Sequence, residues 1–213
     1  MCWSASVSLN TYVFSTFATV FAYSNQTISL VNLLFLQSFM LMQLVEYFVW
    51  SNTTLVSNAT LSKVAFLLIL LQPLLGLITL QHKAKIPLLI GYILFIFVTV
   101  TVIKPWSRIN FQMSPGPNGH LAWYWLDFGL PVLCIWLGFL LAHYALAQQW
   151  IMLMIVFIFA ATSYILFYKT KTWGSMWCWI ANIIAFLLVI GVFKKDICIS
   201  KNWIKYSRSH TNF

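Results

Sequence analysis

Trp150-Ile151-Met152-Leu153-Met154-Ile155-Val156-Phe157-Ile158-Phe159-Ala160-Ala161-Thr162-Ser163-Tyr164-Ile165-Leu166-Phe167-Tyr168 contains no charge, no proline and no glycine. As a helix, at 1.5 Å per residue, it reaches about 28 Å, close to the roughly 30 Å hydrocarbon core of a bilayer. A soluble domain would have to cover such a helix on every side, and the rest of the chain offers little polar surface for that purpose. Of the 213 residues, 62% are hydrophobic and only 7% are charged. Soluble domains run near half apolar and about a quarter charged. Lipid is therefore the expected solvent for much of this chain, and the class is a polytopic integral membrane protein.

Working outward from that stretch, seven apolar spans emerge, at 4–23, 28–50, 61–81, 86–103, 124–146, 149–168 and 173–193. Each lies near the roughly 20 residues that cross a bilayer as a helix. The expected architecture is all-α: a seven-transmembrane-helix bundle over residues 1–193, followed by a basic cytosolic tail at 194–213. The first span has an alternative as a signal peptide cleaved after Val20-Phe21-Ala22. Its start, Met1-Cys2-Trp3-Ser4, lacks the positive flank of such a signal. Its hydroxyls, Ser4, Ser8, Thr11, Ser15 and Thr19, recur at helical spacing, which suits a helix packed inside a bundle.

Seven crossings put the termini on opposite sides. One side receives Lys63, Lys104, Arg108, Lys169 and Lys171; the other receives Lys83, Lys85, Lys194, Lys195, Lys201, Lys205 and Arg208. The basic excess follows the tail, so the positive-inside rule places the C-terminus in the cytosol and the N-terminus outside. The sequons at Asn52 and Asn58 fall on the outer side, and the one at Asn25 falls inside. Eight tryptophans (Trp3, Trp50, Trp106, Trp123, Trp125, Trp173, Trp177 and Trp179) also collect near the outer end. They form either an interfacial belt or the lining of an outward vestibule. Cys2 and Cys178 share that side, where an oxidising compartment would allow them to pair.

Only three acids are present, so each is informative. Asp196 lies among the lysines of the tail. Glu46 lies within the second span, where Asn32, Phe39, Gln43, Glu46 and Trp50 share one helix face. It sits about 10 Å from the middle of its helix, which makes its burial partial. Ionisable groups inside membrane spans are costly and commonly functional. The alternative is a carboxylate that snorkels or fixes helix packing. Asp127 opens the fifth span on the same outer side. Between them runs the 104–123 loop with Ser114-Pro115-Gly116-Pro117-Asn118-Gly119, long enough to cap a vestibule. In the third span Pro73 frees a backbone carbonyl one turn back, beside Gln72 and Gly76.

The same residues exclude several classes. The net charge of +9 arises from loops and tail, so it signals topology and lipid headgroups rather than nucleic acid. The four histidines stand singly and the cysteines lack CxxC spacing, so no metal or cofactor is expected. No lysine for a retinal Schiff base lies within the last span, and no TVGYG filter occurs. No nucleophile–base–orienter set indicates an enzyme.

The opening Met1-Cys2-Trp3-Ser4-Ala5, Gln43-x-x-Glu46-Tyr47-x-x-Trp50, Gln72-Pro73 and Gly174-Ser175-x-Trp177-Cys178-Trp179-x-x-Asn182 together resemble a multi-pass membrane family without assigned activity. That family occurs in large DNA viruses of protists and in some algae and other microbial eukaryotes. The resemblance spans nearly the whole chain. It implies a retained first helix and a viral or host-cell membrane, and it assigns no catalytic residues. The leading functional expectation is a small transporter or channel for an ion, proton or small polar solute, centred on Glu46 and Gln43 with Asp127, Asn32 and Trp50. The alternative is a non-catalytic envelope, scaffold or receptor-like membrane protein, which a dry bundle around Glu46 would favour over a water-filled path.

Overall fold

A computed structural model describes residues 3–51 and 57–193, the side chains of 178–180 aside. The tail at 194–213, the sequon at Asn52 and the Cys2–Cys178 pairing lie outside the described residues or side chains. Seven α-helices dominate: α1 (Ala5–Ser24), α2 (Leu30–Trp50), α3 (Asn58–Thr79), α4 (Lys85–Val98), α5 (Leu130–Leu146), α6 (Trp150–Phe167) and α7 (Cys178–Phe193). A π-helical turn, Thr99–Ile103, prolongs α4. Among the described residues, five helical stretches are long and apolar enough to cross a membrane: Leu30–Trp50, Asn58–Thr79, Lys85–Ile103, Trp150–Phe167 and Ser175–Phe193. Helix α5 is apolar but shorter.

Each start has a local reason. Ser4, Ser29 and Ser57 cap α1, α2 and α3, their hydroxyls accepting from Val7, Asn32 and Thr60 backbone N–H groups; this satisfies donors the first turn leaves orphaned. The fifth span begins later than its apolar run at 124. Gly129 and Pro131 set the start at Leu130, so Asp127 precedes the helix rather than opening it.

Helix α1 packs against α2 and α7, α2 against α3, and α3 against α4 and α5, while α6 lies on α5. The hydroxyl stripe explains the first of these contacts. Ser8, Thr11, Ser15 and Thr19 are buried with Ala18 and Ala22, and such small side chains let neighbouring helices approach closely. Gln37 of α2 hydrogen-bonds the Thr19 hydroxyl, and Asn182 of α7 reaches Thr11 at 3.4 Å. In α3, Pro73 leaves the Ile69 carbonyl without its helical donor. The Trp136 indole of α5 donates to that carbonyl at 3.3 Å. Gly76 sits where α3 meets α5, since a Cβ there would lie 2.9 Å from Nδ1 of His143.

The 104–129 segment is ordered. A 3-10 turn at Trp106–Arg108 leads into strand β1 (Met113–Pro115), which pairs antiparallel with β2 (Leu121–Trp123); a second 3-10 turn, Tyr124–Leu126, follows. Gly119 adopts φ +76 in the connection, a conformation that costs other residues energy. Ile109, Phe111, Met113, Leu121, Trp123, Trp125 and Phe128 are buried. Phe66 of α3 is their anchor, 5.6 Å from Trp106, 5.8 Å from Phe111 and 5.9 Å from Trp125, ring centre to ring centre.

This cap is fastened at two places. The Asn58 side chain donates to the Met113 carbonyl at 2.7 Å and accepts from its N–H at 2.9 Å, closing the open edge of β1 as a neighbouring strand would. The sequon's amide is thus engaged in the fold. On the other side Trp123 N–H donates to the Lys171 carbonyl at 2.9 Å, and Asn118 donates to the Thr172 hydroxyl at 2.8 Å.

Candidate functional site

Glu46 and Gln43 lie one turn apart near the C-terminal end of α2, and both are buried, Glu46 completely (0%) and Gln43 at 2%. The expectation of partial burial is corrected here. The distance along the helix places Glu46 toward the headgroups, but the cap folds over that helix end and removes it from solvent. The Trp123 side chain lies against the Glu46 carboxyl, in a contact looser than a well-formed indole hydrogen bond. Trp123 stacks on Trp125 at 5.0 Å with nearly parallel rings. One turn below Gln43, Phe39 stacks on Trp177 at 6.4 Å, and Trp177 meets Trp136 edge-on at 5.8 Å. The carboxyl and amide therefore sit in an aromatic compartment.

The described tryptophans at this end divide into a buried and an exposed set. Trp123, Trp125, Trp173 and Trp177 are buried in the packing between the cap and the helix ends, whereas Trp3 and Trp106 are exposed and Trp50 is half-buried. Indoles at a helix end supply large apolar area, and packing them together seals that end.

Asp127 does not join Glu46. It is exposed, and its carboxylate pairs with Lys171 at 3.0 Å. The Lys104 ammonium donates to the Asp127 carbonyl at 2.6 Å, so two cations converge on this residue. Asn32 shares the Glu46 face but lies over three turns away and is half-buried. The five predicted residues thus divide into a buried pair, Gln43 and Glu46, with Trp50 one turn beyond, and two separate positions.

Outside the spans, His120 sits on the cap beside Trp3 at 6.2 Å and Phe167 at 6.4 Å. Burial disfavours its protonated form and lowers its pKa from 6.5. Among the described residues no group of three or more His, Cys, Asp or Glu side chains could hold a metal ion. A groove of about 540 Å³ beside the cap is lined by Asn58, Lys63, Phe111 and Met113 among others. An apolar cleft of about 200 Å³ lies between α5 and α6. Neither is lined by Glu46 or Gln43.

A buried carboxyl is costly unless its polar atoms are partnered. Chemically the pair can hold a proton or a small cation, or it can orient the cap through Trp123. The closing of the compartment by Trp123 and Trp125 was missed in the sequence. The signal was present as turn residues at 115–119 with apolar residues on both sides, a hairpin pattern. Comparison with family models, with curated proteins and with solved structures gives no match for this chain.

Proposed function

We propose that this is a non-catalytic, receptor-like or scaffolding membrane protein that acts through its cap, with seven crossings, the cap outside and the C-terminus in the cytosol. Its membrane is that of a virus or its host, as the sequence resemblance implies. One observation supports the reading: the 104–123 loop, expected to cap a vestibule, forms with 124–129 a folded unit whose Trp123 lies against Glu46 and is backed by Trp125. Glu46 and Gln43 then orient the cap from below. Lys63, Lys104, Arg108, Lys169 and Lys171 surround it, with Asp127 as the exposed acid, so an acidic partner suits this face.

A second reading, a proton, ion or small-solute carrier, is favoured by the complete burial of a carboxyl one turn from an amide, since such groups commonly mark transport paths. Flux assays in proteoliposomes separate the two. Proton, cation and anion fluxes are measured for the wild type and for Glu46→Gln, with folding checked by monodisperse elution. The cap reading expects no protein-dependent flux from either. Flux in the wild type that disappears in a folded Glu46→Gln protein would replace it with the carrier reading.

A further inference from the structure

We infer that the cleft between α5 and α6 binds one acyl chain of a glycerophospholipid, with the lipid phosphate held at the cap end by Lys171 and Lys169. The cleft's volume is about 200 Å³ and its lining surface is wholly apolar. Leu137, Phe157 and Ala161 line it together with the buried Trp136, Trp173 and Trp177. An apolar cavity of roughly 150 Å³ already stays dry and takes up benzene, so this one suits hydrocarbon rather than water.

The occupant follows from where the cleft opens. Its walls continue into outward faces that carry Ile135, Ile158, Ile165 and Leu166, all at least half exposed. In a bilayer those faces meet lipid tails, so acyl chains are the molecules available at the mouth. Transfer from one hydrocarbon to another gains little by itself. The gain comes from filling a rigid void whose lining atoms otherwise lack dispersion partners.

The headgroup follows from the cap end. Leu130 and Trp173 line the cleft; Leu130 lies three residues after Asp127, and Trp173 two residues after Lys171. Lys104 and Lys171 both converge on Asp127, and Lys169, two residues before Lys171 in the chain, is exposed. Three ammonium groups against one carboxylate leave local charge of about +2 for a phosphate. Tyr164 lines the cleft and meets Tyr168 with rings tilted by 36° and centres 4.7 Å apart, a pairing of amphipathic rings suited to headgroup level.

The test uses full-length protein in nanodiscs doped with a phosphatidylglycerol whose acyl chain bears a diazirine. After photolysis, labelled residues are mapped by mass spectrometry. The lipid-facing residues of α4 serve as the reference for non-specific contact, since that helix is largely exposed. Labelling at 130–137 and 157–165 is expected at least five-fold above α4. It should fall to the α4 level in Ala161→Phe, which fills the cleft. Cys134→Phe, at an exposed lining position, should do the same and serves if Ala161→Phe elutes as aggregate. Lys169→Glu with Lys171→Glu should reduce cleft labelling several-fold. Labelling no higher than on α4, or labelling untouched by either cleft-filling change, would overturn the acyl-chain site. Labelling unchanged by the double lysine reversal would overturn the phosphate contact.

Discussion

Replacing Gly174 with alanine tests whether the cap is rigidly docked. An added Cβ at 174 would lie 2.2 Å from Cε3 of Trp123, with Cζ3 at 2.6 Å and Cδ2 at 2.8 Å. The ring has little room to retreat. It is 2% exposed, it stacks on Trp125, and the backbone N–H of the same residue is held by the Lys171 carbonyl. Overpacking of this kind costs about 1–3 kcal/mol. Alanine recovers roughly 0.4–1 kcal/mol by restricting the unfolded chain. The net loss is then about 1–2 kcal/mol, or roughly a tenfold larger undocked population at about 1.4 kcal/mol per decade. Chymotrypsin reads that population, because Trp123 and Trp125 are buried and become cleavable when the cap lifts; cleavage follows the open fraction when reclosing is fast. Gly174→Ala should raise the cleavage rate at 123–125 about tenfold, by the same free-energy conversion. Gly138→Ala is the control: its Cβ would meet nothing within 4 Å, so cleavage should match the wild type. If Gly174→Ala were cleaved at the wild-type rate, the tight contact between Gly174 and Trp123 would not be what holds the cap.

Two further expectations follow from other contacts. Trp136→Phe removes the donor to the Ile69 carbonyl and should cost about 1 kcal/mol in thermal unfolding in nanodiscs. In a Pro73→Ala background, where residue 73 supplies the helical N–H, the same change should cost clearly less; equal costs in a double-mutant cycle would show that the indole does not serve that carbonyl. His120 gives the cap a pH dependence. Its folded pKa is lowered from 6.5, so the unfolded form binds more protons as pH falls through that value. Cap stability is therefore present above about pH 6.5 and declines below it. Chymotryptic cleavage at 123–125, divided at each pH by cleavage of an unstructured peptide to remove the protease's own loss of activity as its catalytic histidine is protonated, should rise between pH 7.5 and 5, and His120→Phe, which keeps a ring beside Trp3 and Phe167, should flatten the profile.

The helical stretches were legible because apolar length is a local property. The run at 149–168 became α6 at Trp150–Phe167, and the run at 28–50 became α2 at Leu30–Trp50. The hydroxyl spacing in the first span identified the face that α1 buries, since a period of 3.6 residues is intrinsic to the backbone. The carbonyl that Pro73 frees one turn back was also foreseeable, but not its donor: Trp136 is 67 residues from Ile69, and no local pattern names it.

Glu46 shows the same division within the candidate site. Its position on a polar face with Gln43 was readable from residue spacing. Its depth was not, because depth along a helix says nothing about what folds over the end. Asp127, close in parity and composition, turned out to be an exposed partner of Lys171, since Gly129 and Pro131 hold it outside α5. The sequence by itself determined that this chain is helical and built for lipid, and which helix faces carry polar groups; these depend on composition and on the fixed period of the helix. Tertiary structure alone decided that the 104–129 segment is a hairpin cap, that its tryptophans seal Glu46 and Gln43, and that α5 and α6 part to leave an apolar cleft. Those features come from contacts between residues far apart in the chain, where packing of whole surfaces, not local propensity, selects the arrangement.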